Sequence, residues 1–85
     1  MGIVRTARFK KDFQALPAEI QSRLGKALEL FLTDPRDPSL RAKKIEGAPG
    51  IWELRVSQNY RLTFQFAGGA HTLRRVGTHD VLRQP

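Results

Sequence analysis

From Ile51 to Phe66 the chain alternates apolar and polar residues with a period of two. Trp52, Leu54 and Val56 fall on one side of an extended strand, and Glu53, Arg55 and Ser57 on the other. The polar triplet Ser57-Gln58-Asn59 interrupts the pattern. It then resumes, with Tyr60, Leu62, Phe64 and Phe66 on one side and Arg61, Thr63 and Gln65 on the other. Two half-buried strands joined by a short polar turn predict an antiparallel hairpin with an aromatic-rich core face. Its opposite face carries Glu53, Arg55 and Arg61. A carboxylate and guanidinium groups on a rigid sheet form a good platform for a site.

The remaining elements are expected around this hairpin. Gly2-Ile3-Val4-Arg5 reads as an opening strand, and Thr6 as the N-cap of a helix beginning at Ala7. Phe9, Phe13 and Leu16 recur at helical spacing, with Arg8, Lys10, Lys11 and Asp12 on the other face. Pro17 ends this helix and can open the next. In the second helix Ile20, Leu24, Ala27, Leu28 and Phe31 form a continuous apolar face, widened by Leu30 and Leu32, and the helix stops at Thr33-Asp34-Pro35. Residues 36–44 are a basic loop with Leu40 turned inward. Ile45-Glu46-Gly47 is expected to add a brief edge strand before the turn Ala48-Pro49-Gly50, and Ala67-Gly68-Gly69-Ala70 to form a second turn. His71 to Gly77 reads as a further strand. Leu73 and Val76 have opposite parity, which a bulge or a strand covered on both faces would explain. The tail Thr78–Pro85 is too short for much structure of its own and is expected to lean on the end of that strand, near the hairpin's polar face. The helical hairpin exposes apolar faces that need a sheet to cover them.

The 85 residues leave room for a single domain, spanning 1–85. Hydrophobic and charged fractions of 40% and 27% are those of an ordinary soluble domain. The absence of cysteine excludes a disulfide framework and a thiolate metal site. No leader opens the chain and no apolar run approaches the length of a membrane span, so a cytoplasmic protein with no membrane partner is expected. Charge changes the picture more. Fifteen Lys and Arg against eight Asp and Glu give a formal net charge of +7, a field that draws polyanions, nucleic acid foremost and acidic proteins as well.

The chain has no phosphate-binding P-loop, no dinucleotide glycine pattern and no nucleophile elbow. His71 and His79 with the neighbouring Asp80 make a poor metal site, so no metal or other cofactor is expected. What remains is Arg55, Arg61, His79 and Glu53, a set suited to phosphodiester chemistry. Attack by a neighbouring 2′-hydroxyl needs a base, positive charge for the crowded phosphorane oxygens, and an acid for the leaving 5′-oxygen. Arginine offers a fixed fork of donors to phosphate, and histidine titrates near neutrality. Each residue also has a plainer reading. Glu53 and Arg55 could be a solvent-facing pair, Arg61 the balance for Glu53 across the hairpin, and His79-Asp80 a turn at a strand end. His71 reads as structural. Lys10, Lys11, Arg36, Arg41, Lys43, Lys44, Arg74, Arg75 and Arg83 are candidates for phosphate contact with RNA.

The chain resembles the RelE/ParE toxin superfamily of bacterial toxin–antitoxin systems. The resemblance is carried by Leu16-Pro17-Ala18-Glu19-Ile20, Lys44-Ile45-Glu46-Gly47, Ile51-Trp52-Glu53-Leu54-Arg55, Asn59-Tyr60-Arg61-Leu62-Thr63-Phe64 and Val76-Gly77-Thr78-His79-Asp80-Val81-Leu82. It implies an α+β fold, a small twisted antiparallel sheet with the N-terminal helical hairpin packed on one face. It implies also a ribosome-dependent endoribonuclease that cleaves messenger RNA in the decoding site, without a metal, leaving a 2′,3′-cyclic phosphate. On that resemblance Arg61 matches the arginine that stabilises the scissile phosphate, and His79 the basic or imidazole group after the last strand in the Gly-x-His form of YafQ-like toxins. Arg55 and Glu53 fall where members place groups for base or phosphate work. Where many members carry an aromatic residue shortly after the histidine position, this chain has Leu82 and Arg83. The implied partners are a cognate antitoxin, the ribosome and messenger RNA. The ParE branch shares the scaffold, lacks the catalytic set and acts on DNA gyrase; an inactive basic module of the same fold is a third reading.

Overall fold

Thr6 ends the first strand and starts the first helix with one side chain. Its hydroxyl donates to the Leu73 carbonyl at 2.8 Å and accepts from the Phe9 amide at 3.1 Å, so the cap is also pinned to the sheet. The computed structural model describes residues 2–85. In chain order these form β1 (Gly2–Arg5), α1 (Ala7–Gln14), α2 (Ala18–Thr33), a 3-10 turn (Pro38–Leu40), β2 (Lys43–Lys44), β3 (Trp52–Arg55), β4 (Tyr60–Ala67), β5 (Ala70–Thr78) and a second 3-10 turn (His79–Arg83).

The strands make one five-stranded sheet in the order β1-β5-β4-β3-β2. The α+β architecture is as expected, with one refinement: β1 runs parallel to β5, so the sheet is mixed, while the other pairings are antiparallel. A parallel neighbour requires a long crossover, and here everything from α1 to β4 supplies it. The expected central hairpin is present, with Leu54 opposite Leu62 and Arg55 opposite Arg61. Between β4 and β5 the register slips after Thr63, which faces Arg75, to Phe64, which faces Leu73. Arg74 is therefore the extra residue of a bulge, and the bulge lets Leu73 and Val76 reach the same core. Gly68 and Gly69 turn the β4–β5 hairpin with φ of 60° and 79°, the left-handed pair of a two-residue turn.

Phe9 of α1 and Leu24 and Phe31 of α2 pack with Leu40, Leu54, Val56, Leu62, Phe64, Leu73 and Val76 into one core. Leu40 is buried, as its inward placement required. Three expectations are corrected. The edge strand is Lys43–Lys44, two residues earlier than Ile45-Glu46-Gly47, of which Glu46 and Gly47 belong to the turn. Phe66, expected in the core, is 57% exposed, because β4 outruns the helices that cover its centre. The tail does form structure, a 3-10 turn over His79–Arg83.

Along β5 the face of the sheet away from the helices is also covered. The tail folds back along β5, and the main-chain oxygen of Pro85 accepts from Thr63 Oγ1 at 3.3 Å and from Arg74 Nε at 3.0 Å. Thr63 is 0% exposed in consequence.

Candidate functional site

The polar face of β3 and β4 places Glu53, Arg55 and Arg61 together. Glu53 stands opposite Lys43 of β2 on one side and diagonal to Arg61 of β4 on the other. Its carboxylate is not solvent-facing: the residue is 8% exposed, and Oε1 lies 3.8 Å from Arg61 Nε. Arg41, Ala42, Lys43, Glu53, Arg55 and Arg61 line a cleft of about 350 Å³ at this edge of the sheet. Three arginines and a lysine thus surround a single carboxylate. Such a surplus of cations beside a low-dielectric wall favours an anionic ligand, and the guanidinium forks suit phosphate.

Arg61 has a second task that the sequence did not announce. Its Nη1 donates to the carbonyls of Ser57 at 2.8 Å, Tyr60 at 3.0 Å and Gln58 at 3.1 Å. The side chain is 16% exposed. It therefore clamps the β3–β4 turn from within, and these bonds with Glu53 offset the repulsion of Arg55 directly opposite. Its Nη2 makes no hydrogen bond among the described residues and is the donor left for a ligand. Arg55 makes neither a hydrogen bond nor an ion pair among the described residues. Its charge is wholly uncommitted.

His79 is exposed and opens the C-terminal 3-10 turn, outside the residues that line this cleft. It follows Thr78, the partner of Tyr60, while Gly77 is the partner of Arg61. The main chain at His79 therefore leaves the sheet at the end where Arg55 and Arg61 stand.

The other cations divide into two groups. Lys10, Lys11, Arg36, Arg41, Lys43, Lys44 and Arg83 are exposed, as phosphate contact requires, with Lys44 Nζ 5.6 Å from the centre of the Trp52 ring. Arg74 and Arg75 are half-buried and spoken for. Arg74 holds Pro85 and the Gln65 side chain, and Arg75 pairs with Asp12 at 2.8 Å and reaches the Gln84 carbonyl at 3.5 Å. Of the candidates for RNA contact, Arg74 and Arg75 are the two whose guanidiniums are engaged within the chain, where both hold the tail on the sheet.

A wider cleft of about 530 Å³ went unseen in the sequence. Tyr60, Asp80 and Arg83 line it with Leu16, Pro17 and Val81. It exists because the tail folds back beneath the α1–α2 break, a contact between the two ends of the chain that leaves no local signal. His71 is structural, as expected. Its ring sits edge-on to Phe31 at 4.7 Å and beside Phe66 at 5.0 Å, and its buried Nδ1 has no partner. Desolvation lowers its pKa below the ordinary imidazole value. Among the described residues no cluster of His, Asp or Glu could hold a metal ion, and no helix is long and apolar enough to cross a membrane.

The sequence profile described as phage derived protein Gp49-like (DUF891) matches residues 11–73, from α1 into β5. The chain belongs to the phage-derived Gp49-like family. A comparison with curated protein sequences gives no match. Among solved structures this Gp49-like chain is similar to YafQ from Escherichia coli strain BL21(DE3), with a TM-score of 0.79, 16% identity and 94% of each chain covered. It is similar also to the RelB–RelE antitoxin–toxin complex from Methanococcus jannaschii, with a TM-score of 0.76, 24% identity and 94% of each chain covered. The intact E. coli RelBE toxin–antitoxin complex matches with a TM-score of 0.71 and 24% identity over 91% of this chain and 94% of that one. At such identities the shared property is the fold, and the fold of the Gp49-like chain is that of the RelE and YafQ toxins.

Proposed function

We propose that this chain is the toxin of a toxin–antitoxin pair and a ribosome-dependent endoribonuclease that cleaves messenger RNA in the decoding site. The observation that carries the reading is the cleft in which Arg41, Lys43, Arg55 and Arg61 converge around Glu53, with His79 emerging at the same end of the sheet. The reaction is attack of a 2′-hydroxyl oxygen on the adjacent phosphorus. That bond forms while the bond to the 5′-oxygen breaks, giving a 2′,3′-cyclic phosphate and a 5′-hydroxyl. Arg55 and the free Nη2 of Arg61 stabilise the charge that builds on the phosphorane oxygens. The buried Glu53 serves as counter-ion to Arg61 and holds its guanidinium in place. His79, whose imidazole is exposed and can both give and take a proton, carries the proton to the leaving 5′-oxygen or from the attacking hydroxyl.

The exposed cations Lys10, Lys11, Arg36, Arg41, Lys43, Lys44 and Arg83 supply the grip on ribosomal RNA. The structures of similar fold include toxins in complex with their antitoxins. For this chain the reading calls for an antitoxin with an acidic or amphipathic segment that covers Arg55, Arg61 and His79.

Expression of the wild type and of Arg61→Ala with His79→Ala, with messenger 3′ ends and DNA damage mapped together, tests the reading. Codon-periodic cuts that vanish in the variant support it. DNA breaks with intact messages would transfer the chain to the gyrase-directed reading, and neither lesion would leave a basic module without activity.

A further inference from the structure

Gly77 lies inside β5, where a glycine weakens the strand and contributes no side chain to the packing. Its φ is not positive, unlike that of Gly47, Gly50, Gly68 and Gly69, so the backbone does not require it. The surroundings do. A Cβ at position 77 would stand 2.9 Å from Val81 Cγ1, whereas a Cβ at any other glycine of the chain would meet nothing within 4 Å. Val81 is 7% exposed and has a stiff, β-branched side chain, so the contact has little room to relax. The missing side chain of Gly77 is the seat of Val81.

This seat governs more than the tail. Gly77 is the register partner of Arg61. His79 lies between Thr78, the last residue of β5, and Asp80, the residue before Val81. Its main chain is therefore held from one side by the strand and from the other by Val81 in its seat. Farther along, the tail is fixed by Arg75 to Gln84 and by Arg74 and Thr63 to Pro85. The 3-10 turn that begins at His79 is thus clamped at both ends on the sheet that carries Arg61.

We propose that Gly77 and Val81 are positioning residues whose contact fixes His79 relative to the Arg61 guanidinium. The inference rests on the reading of His79 as the proton carrier. It goes beyond that reading by assigning the precision of the site to a glycine that touches no substrate. Misplacing a catalytic group by about 1 Å costs about a hundredfold in rate, which sets the scale of the expected effect.

The test is a steric double-mutant cycle with two readouts, the NMR resonances of the His79 imidazole in the free protein and message cleavage on programmed ribosomes. In Gly77→Ala the His79 resonances are expected to move and cleavage to fall about a hundredfold. In Gly77→Ala with Val81→Ala, where the methyl now has space, both are expected to return most of the way. Val81→Leu presses on the same contact from the tail's side with the sheet unaltered, and keeps the test open if Gly77→Ala does not fold. His79 resonances unmoved in Gly77→Ala or Val81→Leu would overturn the inference, as would a double variant no better than the single. A wild type that cuts no message would instead overturn the ribonuclease reading, while the resonances still report on the seat.

Discussion

The carboxylate of Asp12 accepts hydrogen bonds from Arg75 Nε at 2.8 Å and Nη2 at 3.3 Å, joining residues 63 positions apart. The same carboxylate accepts from the Val76 amide at 3.2 Å, and so satisfies the edge of β5 beyond the point where β1 ends. Arg75 passes the connection on to the Gln84 carbonyl. One ion pair thereby ties α1, the sheet edge and the tail, and holds in place the strand that positions His79.

Asp12→Ala removes an acceptor used three times and strands a guanidinium that is 19% exposed. A loss of about 2 kcal/mol is expected, the scale of a charge-assisted hydrogen bond left unmade. Asp12→Asn keeps an acceptor and should lose about half as much. Urea midpoints of the three proteins at neutral pH measure it, and an Asp12→Ala midpoint equal to wild type would show the pair to be ornamental.

Arg55 and Arg61 face each other across the hairpin but should respond differently to truncation. Arg61→Ala releases three turn carbonyls and should cost about 1–2 kcal/mol in addition to abolishing cleavage. Arg55→Ala should leave stability within about 0.5 kcal/mol of wild type while cleavage falls at least tenfold. Equal stability losses in the two variants would contradict this division of labour.

Binding to a single-stranded RNA should weaken with salt, with a slope of about 0.7 in the logarithms for each phosphate neutralised. Arg41→Ala and Lys43→Ala are each expected to lower that slope by about 0.7. Arg74→Ala should leave it unchanged, because that guanidinium is committed to Pro85 and Gln65. A slope reduced by Arg74→Ala would place Arg74 at the RNA interface.

His71 makes stability depend on pH. Burial lowers its pKa in the folded protein, so the unfolded chain takes up the proton more readily. Stability should be highest above the ordinary imidazole pKa of about 6.5 and decline as pH falls through and below it. Thermal unfolding between pH 7.5 and 5.5 should show a downward trend that His71→Phe reduces. An identical trend in that variant would assign the effect elsewhere.

The sequence made local structure legible where one residue's chemistry decides it. Thr6 caps α1, and the mismatched parity of Leu73 and Val76 announces the bulge at Arg74. Glu53, Arg55 and Arg61 were placed on one face by alternation alone, and the cleft that gathers them follows from it. What the sequence withheld depends on contacts between distant parts of the chain. Nothing in Gly2–Arg5 signals a parallel partner at Ala70–Leu73. The edge strand settles on Lys43–Lys44 because those residues meet Glu53 and Trp52, and lysine suits an open edge better than the apolar Ile45 does. Arg74 and Arg75 look like any other surface cations until the tail folds over them.

The central claim is that the cleft around Glu53 cuts RNA through the message's own 2′-hydroxyl. Cleavage on programmed ribosomes should be compared between a message with ribose throughout and one with a single 2′-deoxynucleotide at the scissile position. The account predicts a cut bearing a 2′,3′-cyclic phosphate in the first and none at that position in the second. Equal cleavage of both, or no cleavage of either, would contradict it.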